Sequence, residues 1–120
     1  MSLDVTLKRT MYLSYDKGAT YVEQDEELYT SNITHNLNAM ADAAGIYEAL
    51  WRPEEINCVY AKDIIPILTD GLSKLKSDPK KYKEFNSPNG WGMYENFVPF
   101  IEKYLIACNK YPESIIEISR

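Results

Sequence analysis

The chain has 120 residues, 45% of them hydrophobic and 26% charged, a balance that fits one globular domain and excludes a disordered chain. A formal charge of −5 matches the phosphate backbone poorly, so nucleic acid is not expected as a partner. No apolar run is long enough to cross a membrane, and the opening residues hold no apolar signal stretch, which points to a cytoplasmic protein.

In chain order, "LDVTLKR" alternates Leu3, Val5 and Leu7 with polar residues, the pattern of a half-buried strand, and "MYLSY" extends it. "DKG", 16–18, supplies a turn, and "TYVEQDEELYT" returns as a second strand of an antiparallel hairpin. Most of the acidic excess lies in this first part: residues 1–50 hold three Lys or Arg against eight Asp or Glu. Ser31, Asn32 and Thr34 are N-cap residue types, and Ile33, Leu37, Met40, Ala41 and Ala44 share one helical face. A helix is therefore expected over 33–44, stopped by Gly45. "IYEALW" adds an apolar turn, after which Pro53 pushes Arg52 out of helical geometry.

Ala61, Ile65, Leu68, Leu72 and Leu75 mark the next helix. Pro66 is tolerated if that helix starts near Lys62 or Asp63, because first-turn amides have no intrahelical partner. "SDPKKYKEF" starts with a cap and a proline and predicts a short helix. The five lysines between 74 and 83 fit a solvated helix face and turn better than a phosphate site. "NSPNGWG", 86–92, is the strongest loop signal in the chain. A last helix spans Met93 to Lys110 on the stripe Tyr94, Phe97, Val98, Ile101, Leu105 and Cys108, with Pro99 again near its start. "ESIIEISR" reads as a terminal strand added to the hairpin. The expected architecture is α+β, one domain over 1–120: a small antiparallel sheet, made of the N-terminal hairpin and the C-terminal strand, packed against about four helices.

Chemistry-bearing residues are sparse. His35 is the only histidine, and on a helix over 33–44 it lies opposite the apolar stripe, beside Asn38 and Asp42. It reads either as a polar surface or capping residue, or as a donor that joins Asn32, Asn36 and the free amides of the helix start in an anion-friendly site. One histidine and two distant cysteines give no metal-ligand spacing, so no metal is expected. Absent GxSxG, GxGxxG and P-loop motifs leave no catalytic residue and no cofactor to assign. Cys58 and Cys108, fifty positions apart, are expected as free thiols. Trp51 with Arg52, and Trp91, stand at segment ends beside Pro or Gly. They form either a stacking pocket with an arginine clamp or hydrophobic plugs over the core.

The stretches "SNITHNLNAMADAAGIYEALWRPEE", "LTDGLSKLKSDP", "NGWGMYENFVPFIEKYLIAC" and the ending "IEISR" resemble an uncharacterised family of small proteins of bacteria and their phages. The resemblance covers about three quarters of the chain, from Tyr29 onward. It implies an intracellular, phage or prophage setting, assigns no catalytic residue, and raises Asn32, His35, Asn36, Trp51, Arg52, Trp91 and Arg120 as positions to test. Three functions follow. The first is a non-enzymatic interaction or accessory protein with a protein partner, with a homo-oligomer also open. The second is a binder of a small anionic ligand such as a nucleotide, through 32–36, Arg52 and Trp91. The third and weakest is a small hydrolase with His35 as base, which lacks an orienting partner and a nucleophile.

Overall fold

The computed structural model describes residues 2–120. Strands β1 (Ser2–Leu13) and β2 (Val22–Thr34) form a long antiparallel hairpin, and β3 (Ile115–Ser119) pairs antiparallel with the first half of β1. The strand order is β2-β1-β3. The helices α1 (Asn38–Ala43), α2 (Tyr47–Trp51), α3 (Ala61–Ser77), α4 (Pro79–Lys83) and α5 (Tyr94–Lys110) lie between β2 and β3, with 3-10 turns at His35–Leu37 and Pro53–Ile56. The α+β architecture is as expected. "IYEALW" is a helix of its own, which makes five helices where the sequence suggested about four.

The core forms where two periodicities meet. Leu3, Val5 and Leu7, the inward residues of β1, are fully buried against the stripes of α3 and α5, represented by Ile64 and Leu68 and by Phe97, Ile101 and Tyr104. Helix α3 packs closely on the link between α1 and α2: a Cβ on Gly71 would run into the Ile46 side chain. Helix α3 starts at Ala61, just before the Lys62 or Asp63 that its proline suggested, and α5 starts at Tyr94, one residue after the expected Met93. Pro66 and Pro99 stand in the second turn, so each removes a rung that a first-turn proline would have spared. The carbonyls deprived of a donor belong to Lys62 and Glu95, which are exposed and can turn to water. At the start of α3 the Asp63 carboxylate accepts from the Val59 and Tyr60 amides at 3.1 and 3.0 Å, which holds it below the usual carboxylate range.

The region 31–44 departs from expectation. The strand β2 continues to Thr34, so Asn32, Ile33 and Thr34 belong to the sheet and not to a helix. Ile33 stands opposite Leu3 and is buried, and Asn32 stands opposite Asp4. A β-branched residue with a buried cross-strand neighbour outweighs the local preference of Ser31 and Asn32 for capping. Thr34 does cap, by accepting from the Asn36 amide at 3.3 Å, but what it starts is a 3-10 turn. The α-helix that follows has six residues, and Gly45 (φ 77°) ends it as expected.

The hairpin outruns its support. The β3 pairing ends at Lys8, and a β-bulge between Leu7 and Lys8 shifts the register. Beyond it, residues 9–27 project into solvent, and the molecule measures 59 × 27 × 23 Å. This distal ribbon is fastened by cross-strand polar pairs: Arg9 to Glu26 at 2.7 Å and Thr10 to Asp25 at 3.2 Å. Its tip is held by Asp16, whose carboxylate accepts from the Thr20 hydroxyl, the Thr20 amide and the Ser14 hydroxyl, and Lys17 and Gly18 turn the chain at φ 60° and 90°.

Candidate functional site

An open cleft of about 890 Å³ lies at the other end of the hairpin. Its walls come from the end of β2, the His35–Leu37 turn, the loop at 89–92 and the first turn of α5. The continuation of β2 to Thr34 carries Asn32, His35 and Asn36 to this wall. The loop then closes on it: the Asn36 side-chain amide donates to the Trp91 carbonyl at 2.8 Å. A Cβ on Gly92 would come within 2.9 Å of the Asn36 Cβ, so this approach requires glycine. Within the loop, the Asn89 carboxamide oxygen accepts from the Trp91 amide at 2.9 Å and from the Ser87 hydroxyl at 2.6 Å. The Trp91 peptide is thereby held on both sides, while its indole is 70% exposed at the cleft.

Trp51 behaves in the opposite way. It is 3% exposed, stacked on Tyr47 (5.5 Å between centroids, 10° between planes), and its Nε1–H donates to His35 Nδ1 at 2.9 Å. That bond decides the chemistry of the histidine. With Nδ1 accepting, neutral imidazole carries its proton on Nε2, so the remaining ring nitrogen of this cleft-lining residue is a donor and not a lone pair. The sequence placed His35 on a helix face opposite the apolar stripe. Its actual position is a half-buried 3-10 turn, ring against Trp51, because the strand consumes the residues that would have begun the helix.

Two other expectations are corrected. Arg52 does not clamp the cleft. Its Nε donates to the Tyr47 hydroxyl at 3.4 Å and its Nη1 pairs with Glu55 at 3.3 Å, away from Trp91. The φ of −142° that Pro53 imposes on Arg52 breaks the chain out of α2 and turns the side chain back along it. The α-helix start expected at 32–36 is replaced by other structure: Asn32 is in a strand, the Asn36 amide is taken by Thr34, and among the described residues no lysine or arginine lines the cleft. Arg120 has a structural position. Its Nη1 donates to the Trp51 carbonyl at 2.7 Å, a group that the end of α2 leaves without a helical donor, and pairs with Glu54 at 2.8 Å. This pairing holds the Glu54 carboxyl below its ordinary value.

Of the positions singled out in the sequence, then, Asn32, His35, Asn36 and Trp91 line one cleft, Trp51 stands behind it, and Arg52 lies outside it. Sequence reasoning missed Asn89 and Asn96. The "PNGWG" loop was a signal for the first; nothing local marked the second, which reaches the cleft only because α5 starts there. Among the described residues no group of three or more His, Cys, Asp or Glu is placed to hold a metal ion, and no helix is long and apolar enough to cross a membrane. The thiols of Cys58 and Cys108 are free and buried, and burial pushes Cys108 up to about 12, so neither is poised as a nucleophile. Comparison with family models, with curated proteins and with solved structures finds no match.

Proposed function

We propose that this chain is a non-enzymatic interaction protein of the bacterial cytoplasm, of phage or prophage type, that grips a protein partner with the tip of its β1–β2 hairpin. The observation that carries this reading is a cluster of exposed tyrosines on an ordered support. Tyr12, Tyr15 and Tyr21 are 65%, 82% and 64% exposed around the tip that Asp16 fixes. Tyrosine supplies contact area with few rotatable bonds, so a tyrosine cluster on a preformed loop binds at low entropic cost. Two-stranded ribbons without a third strand are marginal in water, and the core gains nothing from this one. Glu23 stands opposite Tyr12 and Lys17 sits in the turn between Tyr15 and Tyr21, so charges of both signs rim the tyrosines and the matching surface is polar around apolar pockets. With Nδ1 of His35 occupied by the Trp51 indole the neutral ring has no free lone pair to act as a base, and burial pushes the Cys108 thiol up to about 12; both favour binding over catalysis. A small anionic ligand is the weaker reading, because the cleft wall carries no lysine or arginine.

The test compares the wild type with the triple variant Y12S/Y15S/Y21S as immobilised bait. The wild type should retain a partner in a salt-dependent manner that the variant does not retain, with the two proteins melting within about 2 °C of one another. Equal retention by both would overturn the reading.

A further inference from the structure

The geometry of the cleft points to a second binding function, independent of the hairpin tip: we propose that it takes an uncharged polar ring stacked on Trp91, the chemistry shared by an unphosphorylated nucleoside and a neutral sugar. The first argument is the contrast between the two tryptophans. A tryptophan that serves as a plug is buried, as Trp51 is at 3% exposure, whereas Trp91 leaves most of its indole in solvent. Nevertheless its backbone is fixed on both sides. Its N–H is held by Asn89, its carbonyl by Asn36, and the glycines on either side take φ of 79° and 116°. The structure fixes the platform and leaves its face open, an arrangement that suits stacking and not core closure.

The second argument is the chemistry of the walls. Beside the apolar Ile33, Leu37 and Trp91 they present carboxamides, hydroxyls and one imidazole, and among the described residues no Lys, Arg, Asp or Glu lines them. The walls offer an ionic ligand no opposite charge to pair with, so the favoured ligand is a neutral one that uses stacking and uncharged hydrogen bonds. Among the described residues the side chains of Asn32 and Asn96 make no hydrogen bond within the protein, and each offers both a donor and an acceptor. His35 adds Nε2–H, its tautomer set by Trp51. Ring hydroxyls and nucleobase edges likewise present donors and acceptors side by side, so the walls match a ring with such a rim.

Titration of the four common ribonucleosides and of neutral mono- and disaccharides, each to millimolar concentration, separates the outcomes. The readouts are the indole N–H resonances and the side-chain amide resonances in a nitrogen-15 spectrum. Binding should move the Trp91 indole and the Asn32 and Asn96 amides while leaving the Trp51 indole, bonded to His35, nearly still. Response to nucleosides alone or to sugars alone identifies the source. Trp91→Ala should weaken binding by about tenfold or more, the usual effect of removing a stacking aromatic, and Asn96→Ala by several-fold, both with an unchanged melting curve. The nucleoside 5′-monophosphate should bind no tighter than its parent. Silence of these resonances with every neutral ligand, an unaffected affinity in Trp91→Ala, or a tenfold gain from the phosphate would each overturn the proposal.

Discussion

The two halves of the β1–β2 hairpin are covalently continuous and physically unlike. In the proximal half, residues 2–7 and 29–34, one face is buried under the helices and β1 has a strand on each side. In the distal half the same strands keep their pairing but lose the third strand and the core, and polar cross-strand pairs replace apolar ones. The boundary is sharp because the bulge at Leu7/Lys8 coincides with the last β3 pairing, Lys8 with Ile115. A bulged junction adds twist, so the ribbon leaves the body at the point where its support stops. The lesson is that stability is local to the base, whereas exposed chemistry is free to vary at the tip.

The strongest way to break this contrast is truncation at matched positions. Leu7→Ala, at a fully buried site, should cost about 2–5 kcal/mol and lower the melting temperature by roughly 8–20 °C, taking ~4 °C per kcal/mol. Leu13→Ala, on the same strand but in the distal half, should move it by no more than about 4 °C, since its side chain is only partly covered. Comparable losses in thermal melts of the two variants would mean that the ribbon folds as part of the core.

The boundary itself can be sharpened through Tyr104. Its ring stacks on Tyr29 (6.0 Å, 11°), but its hydroxyl is buried with no hydrogen-bond partner, and burial pushes its ionisation well above the ordinary value of 10.0. Removing an unsatisfied buried hydroxyl removes a desolvation penalty. Tyr104→Phe should therefore raise stability by about 1 kcal/mol, seen as a rise of a few degrees in calorimetry. A fall would show that the hydroxyl has a partner in solution.

A smaller effect concerns the other end of the base, where Arg120 follows β3 and ties it to Glu54. The Glu54 carboxyl is held below its ordinary value of 4.5, with the Arg120 hydrogen bond as the main cause. A depressed carboxylate contributes stability that is present above 4.5 and lost as the pH falls through its folded value. Carbon-detected titration should find Glu54 low in the wild type and returned towards 4.5 in Arg120→Ala. Melting temperatures of the two proteins should also converge as the pH falls below 4.5; a constant gap would break the link. The smallest effect is expected for Arg9→Ala, which breaks an exposed pair with Glu26 and should cost no more than ~0.5 kcal/mol in urea unfolding.

What the sequence determined by itself is the set of elements whose local and tertiary preferences agree. The alternation of Leu3, Val5 and Leu7, the stripes of α3 and α5, the Gly- and Pro-rich loop before Met93 and the break at Arg52 are legible because burial and backbone propensity select the same conformation. Residues 31–37 were not legible, because there the two disagree. Capping residues argue for a helix, at about 1 kcal/mol or less, while the pairing of Ile33 with Leu3 adds a buried contact and ladder bonds that exist only once the chain has folded back. The same holds for the site. Asn36 meets Trp91 across 55 positions and Trp51 meets His35 across 16, so neither the pinned tryptophan nor the histidine tautomer has a local signature. The sequence named four of the twelve residues that line the cleft, Asn32, His35, Asn36 and Trp91, from their chemistry. Only the tertiary structure decided which of them share it, because hydrogen bonds of such long range form only after the core has brought their segments together.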